Sequence, residues 1–102
     1  MILSQEYIDK INRLLNEWHE VGRASFNKSY PNLDYDKEAY KRANFRSKYV
    51  LLDEATSGAF VLEIKTGNIY RLKSKYGVPN KRKLVGTINT VTGKDLNKYR
   101  WY

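Results

Sequence analysis

The residues with the clearest chemical meaning in this chain are six cations that lie between positions 71 and 83 with no acid among them. They are Arg71, Lys73, Lys75, Lys81, Arg82 and Lys83. Ammonium and guanidinium groups in such a run attract phosphate backbones or acidic protein surfaces through Coulomb steering and counterion release. Tyr76 lies within the run, and an aromatic ring beside cations can stack on a nucleobase. We predict that these seven residues bind nucleic acid or an acidic partner surface.

The run belongs to a wider imbalance of charge along the chain. Residues 1–63 carry nine Lys/Arg and ten Asp/Glu, a net charge of −1. Residues 64–102 carry ten Lys/Arg against the single acid Asp95, a net charge of +9. We therefore expect the C-terminal part to meet the anionic partner. A solvated, solubilising surface is the alternative interpretation of the same charges.

Residue types that catalysis or metal binding requires are sparse. A nucleophile needs a base within reach that is oriented by a third group, and the only histidine is His19. Asp34 and Asp36 lie two residues apart, a spacing that helix capping explains. The chain has no cysteine, which excludes disulfides, thiolate metal sites and cysteine nucleophiles. We predict no enzymatic activity, no metal and no cofactor, with an acid–base pair drawn from Glu63, Asp53 and the tyrosines as the open alternative.

An amphipathic helix over residues 4–21 is the first element that positions these residues. Isoleucine, leucine, tryptophan and valine recur at three- and four-residue steps from Ile8 to Val21 and form one apolar stripe. Ser4 is suited to the N-cap, and Gly22 to a C-terminal stop.

A second, shorter helix is predicted over residues 35–46. Its apolar face is thin, and the rest of its surface is cationic through Lys37, Lys41, Arg42 and Arg46. A protein that reads duplex DNA usually presents a helix to the major groove. This segment is the only candidate for that role.

A sequence period of two, typical of strands, replaces the helical pattern from residue 48. Strands are predicted over residues 49–53, 59–64, 69–74 and 84–91. Gly67 is suited to the hairpin turn before the third of these, because it can adopt positive φ. Thr92 is a suitable cap for a final helical turn over residues 94–99.

These elements predict one α+β domain over residues 1–102. A helical part, residues 1–47, precedes a β-meander, residues 48–102, that ends in the short helical turn. The N-terminal helix and the short second helix are expected to cover one face of an antiparallel sheet of three or four strands. The N-terminus has no signal-peptide pattern, and no apolar run is long enough to span a bilayer. We expect a soluble protein that is made and used inside a cell and has no membrane partner.

Three segments of the β part form a recognisable succession. They are SGAFV at 57–61, KTGNIYRLK at 65–73 and YGVPNK at 76–81, and GTI follows at 86–88. This succession resembles a block found in small proteins of tailed bacteriophages, in which an SGAF-type strand precedes a TGxIYxIK hairpin and a YG-containing turn. The resemblance covers about residues 49–101 and leaves out the first helix. It implies a phage or prophage product, located in the host cytoplasm or the virion, and it brings no activity and no functional residues.

Three functions fit a basic, non-enzymatic domain in that context. The first is a nucleic-acid-binding accessory protein, for which affinity falls steeply with salt. The second is a virion component, either a capsid-decorating or a head–tail protein, which requires exposed apolar surface on the first helix. The third is an inhibitor of a host or anti-phage defence complex, whose acidic surface meets the cations. The cationic run favours the first, while the choice between RNA and DNA and the oligomeric state stay open.

Overall fold

The computed structural model describes residues 3–73 and 76–100 and combines helices with one antiparallel sheet. The helices are α1 (Gln5–Ser29), α2 (Tyr35–Glu38) and α3 (Gly93–Tyr99). The strands are β1 (Lys41–Phe45), β2 (Tyr49–Glu54), β3 (Ser57–Glu63), β4 (Asn68–Leu72) and β5 (Pro79–Thr87). The α+β class is confirmed, but the sheet has five strands rather than three or four.

The sheet is a meander in which each strand pairs with the next along the chain, in the order β1-β2-β3-β4-β5. All of these pairings are antiparallel. Consequently β1 and β5 form the two edges, and neither has a second neighbour among the described strands. The cationic run therefore begins in β4, the neighbour of an edge strand, and ends in β5, which forms that edge.

The fifth strand comes from the segment that was predicted to be the second helix. The helix ends at Glu38, and Lys41–Phe45 forms β1 instead, so the helical part does not extend to residue 47. Pairing with β2 in an uninterrupted register outweighs the weak helical pattern, because an isolated helix of this length is marginal in water. The predicted reader of a duplex major groove is therefore absent from this segment.

The first helix is longer than its pattern predicted and passes through Gly22 to Ser29. A methyl group at Gly22 would lie 2.6 Å from the hydroxyl oxygen of Tyr35. Tyr35 is buried and donates a hydrogen bond from that hydroxyl to the carbonyl oxygen of His19, at 2.6 Å. Gly22 therefore permits a close approach of α2 to α1 and does not end the helix.

The main core lies between α1 and one face of the sheet. The indole of Trp18 contacts Phe60 edge-to-face, with ring centroids 5.4 Å apart. The predicted apolar stripe of the helix supplies one side of this core, and alternate residues of the central strands supply the other. Its fully or nearly fully buried members include Ile11, Leu14, Leu15, Trp18, Val50, Leu52, Phe60, Leu62 and Ile69.

The opposite face of the sheet, here called the helix-free face, is also covered. Leu51, Val61 and Tyr70 lie on it and are buried. Leu72 at the end of β4 and Tyr76 beyond it lie over this face: a methyl group at Gly58 would lie 2.5 Å from Leu72 Cδ1 and 2.7 Å from the ring of Tyr76. This close packing gives the small sheet a second apolar layer without a second long helix.

The short helix α3 returns the chain to α1. Its predicted cap is confirmed, since Thr92 accepts a hydrogen bond from the backbone of Asp95 and the Asp95 carboxylate accepts one in return from the backbone of Thr92. Gly93 lies so close to α1 that an added methyl group would be 2.3 Å from the backbone of Glu17. The helix is thereby held against α1, with its C-terminal end beside β4 and β5.

Candidate nucleic-acid interface

The cationic triplet Lys81–Lys83 lies in a bulge at the β5 edge of the sheet. Asn80 pairs with Arg71, and Leu84 pairs with the adjacent Tyr70. One step along β4 thus corresponds to four steps along β5, and residues 81–83 have no opposite residue in the register. A bulge bends its strand and re-aims its side chains. The triplet therefore does not follow the regular alternation of the strand, and its side chains take different directions.

Three of the predicted site residues converge on one cleft beside this bulge. Arg71, Arg82 and Lys83 line a cleft of about 180 Å³, together with Leu84, Val85 and Tyr99. Arg82 and Lys83 are exposed, and Arg71 is half-buried. The cleft therefore combines three cations with an aromatic ring and apolar surface, the mixture of groups that single-stranded nucleic acid requires.

Arg71 reaches this cleft because its side chain extends toward α3. Its Nη2 donates a hydrogen bond to the carbonyl oxygen of Arg100, at 3.3 Å. That carbonyl lies just beyond the C-terminus of α3, where helix carbonyls carry partial negative charge. The contact holds the guanidinium between β4 and the end of α3, beside the cleft that Arg71 lines.

Tyr99 was missed by the sequence analysis, which assigned the stacking role to Tyr76. Tyr99 packs one side against the core while it lines the cleft. The ammonium of Lys98 lies 5.5 Å from the centre of its ring. The available signal was an aromatic residue between two cations, Lys98 and Arg100, but only the packing of α3 brings it to the β5 edge.

Lys81 diverges from its two neighbours and lies on the helix-free face. Its Nζ is 2.7 Å from Oε2 of Glu63 and lies over the ring of Tyr70, 4.5 Å from the centroid. The hydrogen bond to Glu63 raises the pKa of Lys81 and lowers the pKa of Glu63. Lys81 thus neutralises an acid of the same chain and contributes less to an anion site than its position in the run predicted.

The remaining predicted residues are also distributed away from the cleft. Tyr76 lies on the helix-free face, where its hydroxyl donates a hydrogen bond to Asp53 and accepts one from Asn44. Lys73 is exposed and follows β4. Lys75 lies outside the described residues. The seven predicted residues therefore do not form one surface, and Arg71, Arg82 and Lys83 are those that come together.

The lone histidine belongs to a polar network that joins α1 to α2. His19 Nε2 lies 2.7 Å from Oδ1 of Asp36, and Arg23 bonds the same carboxylate. Hydrogen bonds from Arg23 and His19 lower the pKa of Asp36 to about 2. Each of these groups is satisfied by its neighbours, so the network explains the histidine structurally.

Lys41 extends this network into the interior. Its side chain is 2 % exposed, and its ammonium bonds Glu54 at 3.2 Å and the carbonyl oxygen of Ala39 at 2.7 Å. Burial lowers the pKa of Lys41, while the neighbouring Glu54 carboxylate opposes that effect. The ammonium also lies over the rings of Trp18 and Tyr35. It secures β1 to α1 and is not part of an exposed cationic surface.

Comparison with known proteins leaves the site to be interpreted from its own geometry. No protein family, curated protein or solved structure matches the chain. Among the described residues, no group of three or more His, Cys, Asp or Glu side chains is arranged to hold a metal ion. No helix in that part of the chain has the length and apolar character needed to cross a membrane.

Proposed function

We propose that this protein binds single-stranded nucleic acid at the β5 edge, without catalysing a reaction. The observation that carries the proposal is the convergence of Arg71, Arg82 and Lys83 with Tyr99 around one cleft. Cations neutralise the backbone phosphates, and an aromatic ring accepts any base because every base has a π-face.

The individual groups suit different parts of such a strand. Arg82 and Lys83 are exposed on the bulge and contact successive phosphates, where they fix the path of the backbone. Tyr99 is half-buried and lines the same cleft, where it offers aromatic contact to a base. Leu84, which is 54 % exposed, adds apolar contact with the face of a neighbouring base.

A single strand is favoured over a duplex because the described residues place no long helix beside these cations: α3, which borders the cleft, has only seven residues. A major groove accepts a helix or a two-stranded ribbon. The helix α2 has only four residues. Of the cations predicted on the second helix, α2 carries only Lys37, and the others lie in or just after β1. The cleft at the β5 edge has a volume of about 180 Å³ and is bordered by Tyr99 of α3, which suits an unpaired base better than a double helix.

The test is binding of fluorescently labelled single-stranded and duplex oligonucleotides across a salt series. The double variant Arg82→Ala/Lys83→Ala should weaken binding to single strands at least tenfold and make the log–log salt slope shallower by about 1.4, the effect of two lost phosphate contacts. The matched control is Lys37→Ala/Arg46→Ala, which removes the same charge from exposed positions far from the β5 edge.

The outcomes distinguish binding at the cleft from a general attraction of nucleic acid by the positive charge of the chain. If the control weakens binding as much as the double variant does, net charge alone is responsible and the cleft is not the site. If the unmodified protein does not bind at low salt, the proposal fails. Equal or stronger binding to duplex contradicts the preference for single strands.

The two other functions predicted from the sequence gain no specific support. The apolar stripe of α1, including Ile11, Leu14, Leu15 and Trp18, is buried in the core, whereas a virion component was expected to expose it. An inhibitor of a host or defence complex would use the same cations. That alternative predicts tight stoichiometric binding to one acidic protein, with the double variant slowing association.

A further inference from the structure

The two edges of the sheet differ in how they are protected. Edge strands present unpaired backbone groups, and proteins commonly block them with bulges and charged side chains. The β5 edge has both, through the bulge at residues 81–83. The β1 edge pairs with β2 over five consecutive residues with no bulge, so its outer side is a regular strand.

The hydrogen bonds at the ends of β1 define which of its backbone groups face outward. The N–H of Ala55 donates to the carbonyl oxygen of Tyr40, and the N–H of Arg46 donates to the carbonyl oxygen of Tyr49. Bonding groups alternate along an antiparallel strand, so the even-numbered residues of β1 bond β2. The odd-numbered residues Lys41, Ala43 and Phe45 therefore direct their N–H and C=O groups away from the sheet.

An unfilled groove and an exposed aromatic side chain lie at opposite ends of this strand. The groove has a volume of about 480 Å³ and is lined by Asn12, Leu15, Asn16, His19, Tyr40 and Lys41. Phe45 is 47 % exposed. Side chains four positions apart on a strand point to the same face, and their Cα atoms are about 13 Å apart. Phe45 thus lies on the face of the sheet to which the groove opens.

We propose that β1 pairs with β1 of a second copy of this chain, antiparallel and centred on Ala43. In that register Ala43 lies opposite Ala43 of the partner subunit, and Lys41 lies opposite Phe45 of the partner subunit. All three residue pairs join outward-facing backbone groups, so each can exchange two hydrogen bonds. The contact is isologous and closes at two subunits.

The groove and Phe45 are what identify the occupant as a second copy. The groove lies beside Lys41, two residues before Ala43, and Phe45 lies two residues after it. A two-fold axis through Ala43 therefore brings each Phe45 to the groove of the other subunit. An unrelated peptide strand could occupy the edge, but it would leave Phe45 exposed. The self-complementary placement of an aromatic ring and a groove on one strand favours the dimer.

The charges near β1 allow this pairing despite the positive net charge of the chain. The ammonium of Lys41 is buried against Glu54 and does not face the partner subunit. Arg42 extends to the helix-free face toward the buried carboxylate of Asp53, at 3.5 Å, and it would lie opposite Asn44 of the partner subunit. No cation of β1 therefore lies directly opposite another cation in the proposed register.

The dimer does not depend on the proposed function, but it would alter how that function is performed. The paired strands would join the two sheets into one of ten strands, with a β5 edge at each end. Those edges would be about 43 Å apart, from nine spacings of about 4.8 Å. Two cationic clefts on one rigid sheet would bind a long strand with higher avidity than a short one.

The test is the molar mass of the purified protein by sedimentation or light scattering over a range of concentrations. Ala43→Pro removes an outward N–H while leaving the bonds to β2, and proline is accepted on an edge strand in that position. Phe45→Glu removes the ring that covers the groove. Each should raise the dimer dissociation constant at least tenfold, with the circular dichroism spectrum and cooperative unfolding retained. Leu84→Glu, an exposed apolar residue on the β5 edge, is the matched control and should leave the dimer intact.

Three results would overturn the inference. They are a monomer at every concentration, a dimer that is unaffected by Phe45→Glu, and a dimer that is lost in Leu84→Glu but kept in the two β1 variants. Because Phe45→Glu does not alter the strand backbone, it keeps the test decisive if Ala43→Pro fails to fold. Binding of a short oligonucleotide by a monomeric variant would separate failure of the dimer from failure of the proposed function.

Discussion

The hydroxyl of Tyr76 donates a hydrogen bond to Oδ2 of Asp53 across the helix-free face, with 2.9 Å between the two oxygens. Asp53 is 2 % exposed, and its other carboxylate oxygen, Oδ1, has no hydrogen-bond partner among the described residues. Burying a carboxylate with few hydrogen-bond partners costs folding free energy, so the hydrogen bond from Tyr76 stabilises the buried side chain of Asp53. The tyrosine that the sequence suggested for stacking on a base is thus engaged in holding the chain after β4 onto the sheet.

Replacing Tyr76 with phenylalanine should lower the free energy of unfolding by about 1–3 kcal/mol, because it removes the shorter of the two hydrogen bonds to the buried Oδ2 of Asp53 and leaves that oxygen only the Arg42 guanidinium at 3.5 Å. Urea denaturation measures the change. Tyr30→Phe is the control, since Tyr30 is 54 % exposed and should change stability by less than about 0.5 kcal/mol. Weaker binding to oligonucleotides with unchanged stability would instead support the stacking role predicted from the sequence.

Gly22→Ala should destabilise the protein although alanine favours helices by up to about 1 kcal/mol. The added methyl group would lie 2.6 Å from the hydroxyl oxygen of Tyr35, and overpacking of this kind costs about 1–3 kcal/mol. In a Tyr35→Phe background the clashing oxygen is gone, so Gly22→Ala should become neutral or stabilising. A double-mutant cycle by chemical denaturation tests this, and additive effects of the two substitutions would show that the contact is unimportant.

Trp18→Ala should lower the free energy of unfolding by about 3–5 kcal/mol, as expected for truncation of a large aromatic residue in a core. Trp18 is 1 % exposed and contacts Phe60 and the Lys41 ammonium. Val21→Ala on the same helix is the control, because Val21 is 36 % exposed. A Trp18→Ala protein with normal thermal unfolding would contradict the placement of α1.

Asp36 should titrate with a pKa of about 2, because hydrogen bonds from Arg23 and His19 favour its ionised form. Since this pKa is lower in the folded than in the unfolded state, the stability that it contributes is complete above about pH 4 and is lost as the pH falls toward 2. Arg23→Gln should raise the pKa of Asp36 toward its ordinary value, and Lys37→Gln should barely alter it. Side-chain carboxyl chemical shifts followed by NMR measure both, and a pKa near 3.9 in the unmodified protein would refute the network.

The parts of the fold that sequence predicted correctly are those that local rules control. The apolar stripe identified the buried face of α1 from Ile11 to Trp18, although its last member, Val21, is exposed. The positive φ of Gly67 was expected from its turn. Thr92 was correctly assigned as a cap, because capping depends on neighbours within three residues. These features follow from periodicity and short-range hydrogen bonding.

The segment 35–46 shows where such rules fail. Its residues have neither a strong helical stripe nor a clear alternation, so pairing with β2 decides that Lys41–Phe45 is a strand. The burial of Lys41 against Glu54 and Trp18 depends on that pairing. A charged residue in this position looks like a surface cation until its long-range partners are known.

By itself, the sequence determined that this is a basic α+β domain with its positive charge concentrated beyond residue 63, because composition and periodicity are properties of the chain alone. Only the tertiary structure decided which cations act together. The bulge in β5 directs Lys81 to Glu63, whereas Arg82 and Lys83 join Arg71 and Tyr99. The reason is that the direction of a side chain depends on strand register and on elements packed from afar, and neither is encoded in the spacing of charges along the sequence.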